Sequence, residues 1–169
     1  MEQLKERNAQ PSLTGRGEEP FRVLFVCTGN TCRSPMAAAV ANARAACEAE
    51  RELRADSAGL FANEGEPISP LAVDALEQME ILPVKGRDYR THRAHTLSAS
   101  EVGAYDLIVG MTDSHVMQLL MCFPDAAERI VRMPISVSDP YGGDGSVYGQ
   151  CLLEIVRGVD ALLFSKEAL

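Results

Sequence analysis

The sequence predicts a doubly wound α/β fold with its functional residues at the C-terminal ends of the strands. Three observations carry this. Short apolar runs of strand length alternate with longer runs of helical period along the chain. The stretch Val23 to Pro35 joins such a strand directly to a helix start through a short loop. Loops rich in Gly, Pro and Asp follow the other apolar runs, where an open parallel sheet collects its ligands.

The elements can be justified in order. Met1 to Pro20 is polar, rich in Glu, Arg, Gly and Pro, and lacks periodicity, so it reads as a disordered or loosely attached extension before one domain spanning 21–169. Phe21 to Val26 is the first strand. Ser34 is expected to cap a helix that opens at Pro35 and runs to about Glu50, with Met36, Val40 and Ala43 on one face and Arg44, Glu48 and Arg51 more exposed. Leu53 to Ala58 is a second strand closed by Gly59, and strand-helix-strand implies a right-handed crossover and a parallel pair. The loop Leu60 to Ile68, with Phe61, Asn63, Gly65 and Pro67, should then lie beside the first loop. Ser69-Pro70 starts a helix carrying Leu71, Ala75, Leu76 and Met79. Leu82 to Thr96 is polar and irregular, and Leu97 to Gly103 suits a short helix. Tyr105 to Met111 is a third strand, followed by a helix capped by Thr112 or Asp113. Arg129 to Met133 is a fourth strand. After the loop Pro134 to Gly145, a last helix places Leu152, Ile155, Val156, Val159, Leu162 and Leu163 on one stripe.

The chemistry sits in the first loop. Cys27 ends the strand, five residues separate it from Arg33, and Ser34-Pro35 opens the helix. A strand–loop–helix of this kind points successive N–H groups at an anion, which makes this a phosphate-binding loop. A cysteine under a helix N-terminus and beside a fixed arginine is favoured as the thiolate, the nucleophilic form. Arg33 offers a planar fork for two phosphate oxygens, and Gly29 is expected to let the loop turn tightly. Taken alone, Cys27 would read equally well as a buried structural cysteine. The Cys-x5-Arg-Ser spacing between strand and helix decides for phosphoryl chemistry.

A second chemical element lies in Ser138-Asp139-Pro140-Tyr141-Gly142-Gly143. Phosphoryl transfer to a thiolate needs a proton for the leaving group, and Asp139 on a loop over the pocket could supply it and then act as base on water. The bland alternative is that Asp-Pro simply starts a turn.

Composition narrows the remaining classes. The 169 residues, 46% hydrophobic and 24% charged, are ordinary for one soluble domain. A formal charge of −8 argues against nucleic-acid or anionic-membrane partners. No run of eighteen apolar residues suggests a membrane span, and no apolar N-terminal segment resembles a secretion signal. Five cysteines, an odd number, suit a reducing cytoplasm better than a disulfide framework. Cys32, in the same loop as Cys27, is expected to form a reversible disulfide with it under oxidation. No metal or cofactor is expected.

Cys27-Thr28-Gly29-Asn30-Thr31-Cys32-Arg33-Ser34-Pro35, together with Asp139-Pro140-Tyr141, resembles the low-molecular-weight protein tyrosine phosphatase family. Asp56-Ser57-Ala58-Gly59 and His92-Arg93-Ala94 match as well, so the likeness covers Phe21 to Phe164. It implies a four-stranded parallel sheet with flanking helices, Cys27 as nucleophile, Arg33 as phosphate clamp and Asp139 as general acid. It also implies a hydrogen-bond network of Asn30, Ser34, Ser57 and His92 holding the loop, with Ser34 stabilising the thiolate. Thr28, Gly29, Asn30, Thr31, Cys32, Ser34, Phe61 and Tyr141 are the expected substrate-binding residues. Phosphorylated proteins are the expected partners and a monomer the expected state.

The details resemble one branch, the bacterial protein-arginine phosphatases. Thr31 stands where tyrosine-specific members usually carry a bulky aliphatic residue, tryptophan is absent, and Tyr141 is followed by Gly142-Gly143. A threonine hydroxyl can hydrogen-bond a phosphoguanidinium or orient the hydrolytic water. The reading is therefore a phosphoarginine phosphatase acting through phosphocysteine, with phosphotyrosine as the alternative substrate. An arsenate reductase is a third reading, set against by Cys47, Cys122 and Cys151 lying far apart and by Pro35. A catalytically dead phospho-binding module is set against by the presence of both Cys27 and Asp139.

Overall fold

The computed structural model describes residues 19–48 and 52–165. The N-terminal extension up to residue 18, and the expected end of the first helix near Glu50 and Arg51, lie outside the described residues.

Four strands form one parallel sheet: β1 (Phe21–Cys27), β2 (Leu53–Gly59), β3 (Leu107–Gly110) and β4 (Ile130–Arg132). Their order across the sheet is β2-β1-β3-β4. β1 is central because it is apolar on both faces. It aligns Cys27 with Gly59 on one side and Val26 with Gly110 on the other. Alternate side chains of β1 feed two cores, as a doubly wound sheet requires. Val23 and Phe25 pack with α1 (Arg33–Cys47), α2 (Pro70–Gln78) and α5 (Gly145–Val159). Leu24 and Val26 pack on the opposite face with α3 (Ala99–Val102) and α4 (Asp113–Cys122).

Capping sets where the later helices begin. Thr112 accepts the His115 N–H through its hydroxyl at 3.4 Å, so Thr112 rather than Asp113 caps α4. Asp144 caps α5 by accepting the Val147 N–H at 3.1 Å. The apolar stripe of α5 runs on past Val159 into a wider turn, Asp160–Phe164, which keeps Leu162 and Leu163 buried.

Three expectations change. α1 begins at Arg33, not Pro35, and its cap is Cys32. Ser34 is not a cap: it lies within the first turn, fully buried, with its hydroxyl turned to Cys27. Pro35 is still tolerated there because first-turn N–H groups lack intrahelical acceptors. β3 is shorter than Tyr105–Met111, although the Asp106 and Met111 N–H groups still bond to Arg22 and Val26 carbonyls on β1. The carbonyl of Tyr105 is taken by the Arg129 guanidinium instead of by a strand, which ends the ladder. In the expected irregular region, Tyr89–Thr91 forms one tight turn of 3₁₀ helix.

Candidate active site

The loop between β1 and α1 is shaped by Asn30. It is fully buried and has φ +57°, in the left-handed region that asparagine visits more readily than most residues. Its side-chain groups and its carbonyl are all engaged. Its side-chain amide donates to Ser34 Oγ at 3.0 Å and Ser57 Oγ at 2.9 Å. Its Oδ1 accepts the His95 N–H at 3.1 Å, and its carbonyl oxygen lies 2.7 Å from His92 Nε2. Asn30, not Gly29, is therefore the turning residue; a Cβ at Gly29 would touch only Thr31 Oγ1 at 3.9 Å. The glycine that is required is Gly59, where a Cβ would meet the Thr28 carbonyl oxygen at 2.6 Å. That close approach lets Leu60 and Phe61 N–H groups bond to the Cys27 and Thr28 carbonyls at 2.9 and 3.0 Å.

None of the amide N–H groups from Gly29 to Cys32 has a protein acceptor among the described residues. With the N-terminus of α1 beside them, they form an anion-binding nest. At its base the Cys27 Sγ lies 2.9 Å from Ser34 Oγ, and both residues are buried. Arg33, also buried, donates to the Val137 carbonyl at 3.3 Å and reaches Asp139 Oδ2 at 3.4 Å. Asp139 makes its turn as well, because its Oδ1 accepts the Tyr141 N–H at 3.1 Å. The turn and the acid are one arrangement, and Gly142 at φ +78° completes the reversal that leaves Asp139 over the loop.

Cys27, Arg33 and Asp139 line a cleft of about 300 Å³ with Thr28, Thr31, Cys32, Asn63, Glu66 and Tyr141. Phe61 does not line it: its side chain is 76% exposed, because the backbone of the loop, not the ring, is what packs against Thr28. A second groove of about 370 Å³ lies behind the loop, against Pro35, Ala38 and Asn42 of α1. It contains no thiol, but Ser57 and His92 of the Asn30 network open onto it.

Two contributors, His115 and Tyr148, come from distant segments that the sequence did not single out, and two more, Asn63 and Glu66, come from the loop expected beside the first. His115 on α4 places Nε2 3.0 Å from Thr28 Oγ1 and Nδ1 3.0 Å from Thr112 Oγ1. Burial, helped by the Arg33 charge, lowers its pKa to about 4, so the ring is neutral. Burial lowers the pKa of His92 too, against its hydrogen bond to Asn30. Tyr148 on α5 holds its hydroxyl 3.2 Å from Cys32 Sγ and accepts from Ser69 Oγ at 3.2 Å. Burial first, then the bond to Cys32, pushes this phenol up to about 12. Asn63 and Glu66 complete the wall. A Ser-to-Asn spacing can be read within a loop, but these partners are fixed only by packing.

All five cysteines are unpaired. Cys47 and Cys122 are exposed at the ends of α1 and α4, while Cys151 is buried and bonds to the Ser138 carbonyl at 3.5 Å. Burial pushes the Cys151 thiol up to about 12, which leaves it inert. No downstream thiol pair stands ready for a disulfide relay.

Comparison with known proteins agrees with this geometry. The family model described as low molecular weight phosphotyrosine protein phosphatase matches residues 22–169. A protein-arginine-phosphatase of Geobacillus stearothermophilus is 34% identical over 150 residues, covering 85% of this chain and 94% of its own. A low molecular weight protein-tyrosine-phosphatase of Streptomyces coelicolor is 36% identical over 157 residues, covering 85% and 92%. Among solved structures, the low molecular weight protein tyrosine phosphatase from T. tengcongensis superposes with a TM-score of 0.76 at 38% identity, covering 85% of this chain and 97% of that one. An arginine phosphatase from Geobacillus stearothermophilus superposes with a TM-score of 0.72 at 33% identity, covering 85% and 90%.

Proposed function

Because the chain belongs to the low-molecular-weight phosphotyrosine protein phosphatase family, we propose that it hydrolyses phosphoarginine in proteins through a phosphocysteine intermediate. The observation that carries the substrate reading is the lining of the cleft. Among the described residues it contains no aliphatic side chain, and it includes Thr31, whose hydroxyl lies 3.6 Å from Cys32 Sγ. A phenyl ring would find no aliphatic side chain to pack on there, whereas a planar, polar phosphoguanidinium finds hydrogen-bond partners.

In this reading the phosphoryl group sits in the nest of amides from Gly29 to Cys32, with two oxygens on the Arg33 fork. The Cys27 thiolate, hydrogen-bonded by Ser34, attacks phosphorus. The P–N bond breaks as the Asp139 carboxylic acid gives its proton to the departing guanidine nitrogen. The Asp139 carboxylate then takes a proton from water, whose oxygen attacks phosphorus. The S–P bond breaks, phosphate leaves, and the thiolate returns. Asn30, Ser57 and His92 position the loop through both steps. Unpaired cysteines suit the reducing cytoplasm as the site of action.

Phosphotyrosine is a second reading, favoured by Tyr141. Its ring lies on the cleft rim, 82% exposed, where it could stack on a phenol ester. Turnover of phosphoarginine and phosphotyrosine peptides by wild type and Thr31→Ile separates the two. The phosphoarginine reading expects wild type to prefer phosphoarginine. It also expects the substitution to lower that activity about 5- to 150-fold, as for a lost buried polar contact, while phosphotyrosine turnover holds or rises. Wild-type preference for phosphotyrosine would establish the second reading.

A further inference from the structure

One wall of the cleft carries a charge that phosphoryl transfer itself does not use. Glu66 lines the cleft together with Asn63, Arg33 and Cys27. Its backbone is pinned on both sides: its N–H bonds to the Asn63 carbonyl at 3.2 Å, and its carbonyl accepts the Ala94 N–H at 2.7 Å. The following residue, Pro67, bridges to Arg93. The side chain is oriented by Asn63, whose amide nitrogen lies 3.5 Å from Glu66 Oε1. Among the described residues no basic side chain forms an ion pair with Glu66.

An exposed carboxylate with no basic partner, on a pinned backbone in a cleft that receives a phosphoryl dianion, works against binding by repulsion that solvent and salt screen in part. The repulsion is offset only when the substrate brings positive charge and N–H donors next to phosphorus. A phosphorylated guanidinium does so, whereas esters of phenols or aliphatic alcohols do not. We propose that Glu66, oriented by Asn63, is a specificity-determining residue that accepts the N–H groups of the phosphorylated guanidinium and disfavours phosphate esters. The assignment rests on the phosphoarginine reading and adds to it a carboxylate that discriminates by charge, apart from the hydroxyl of Thr31.

The test is Glu66→Gln, which keeps the length of the side chain and an oxygen for Asn63 but removes the charge. Phosphoarginine and phosphotyrosine peptides are assayed at low and high salt. Glu64→Gln serves as the control, because Glu64 lies on the same loop but accepts the Thr96 N–H and does not line the cleft. In Glu66→Gln, kcat/KM for phosphoarginine should fall about 3- to 20-fold, between the values for an exposed ion pair and a charge-assisted hydrogen bond. Phosphotyrosine turnover should hold or rise, and the difference should shrink as salt is raised. Glu64→Gln should leave the ratio of the two substrates unchanged. Wild-type turnover of phosphoarginine with an unmoved substrate ratio in Glu66→Gln would overturn the role of Glu66 alone, as would an equal effect of Glu64→Gln. Failure of the wild type to hydrolyse phosphoarginine would overturn the phosphoarginine reading itself.

Discussion

The ring of His92 reaches across 62 residues to place Nε2 2.7 Å from the backbone carbonyl of Asn30. A carbonyl only accepts, so Nε2 carries the proton and the ring is fixed in that tautomer. The bond holds a left-handed residue that also bonds to Ser34, Ser57 and His95. Asn30→Gly keeps the backbone conformation and loses only the side-chain bonds. Asn30→Ala loses the same bonds and adds the left-handed penalty of about 1–2 kcal/mol. Urea unfolding should therefore rank wild type above Asn30→Gly above Asn30→Ala. Equal stability of the two variants would mean that the loop relaxes to negative φ at no cost.

Cys27→Ser should abolish turnover while retaining vanadate binding, because the amide nest and Arg33 remain. Asp139→Asn should lower kcat by about 10²–10⁴, the usual cost of a lost general acid. That loss should shrink for an activated phenyl phosphate, whose leaving group needs little protonation. A uniform loss across leaving groups would reduce Asp139 to a partner of Arg33.

Oxidation should join the two cysteines of the loop. Peroxide converts the Cys27 thiolate to sulfenic acid, and condensation with the Cys32 thiol releases water and forms the disulfide. Cys32 is held for this by Tyr148 at 3.2 Å. Peptide mapping after mild peroxide should find a linked Cys27–Cys32 peptide, reversed by dithiothreitol. Cys32→Ser should instead lose activity irreversibly through sulfinic acid at Cys27. Irreversible loss in wild type, without the linked peptide, would leave Cys32 a packing residue only.

Acid should weaken the fold partly through His115. Its pKa is lowered from the usual 6.5 to about 4 by burial and by Arg33, so the unfolded chain takes up this proton before the folded one does. The stabilisation from the neutral ring is complete above about pH 6.5 and fades as the pH falls toward 4. Carboxylates titrate in part of the same range, so the informative quantity is the difference from His115→Gln. The stability advantage of wild type over that variant should shrink steadily from pH 7 to pH 4.5 in urea unfolding. An advantage constant with pH would mean that the ring does not change charge there.

What the sequence by itself determined is what local spacing encodes. Apolar runs of strand length, separated by helical runs, specify the alternating sheet and helices. The five residues between Cys27 and Arg33 place a thiol and a guanidinium at opposite ends of one short loop, because strand, turn and helix start are all short-range structures. Even there, local reading has limits. Capping preference assigned Ser34 to the helix end and turn preference assigned the bend to Gly29. Packing instead buried Ser34 against Cys27 and gave the left-handed position to Asn30, whose amide finds Ser57, a partner 27 residues away. Only the tertiary structure decided that His115 and Tyr148 brace the loop, that Phe61 faces away from the cleft and that Glu66 faces into it. Those placements depend on which strands are neighbours and on how closely Gly59 lets two loops approach. No periodicity in the chain records either.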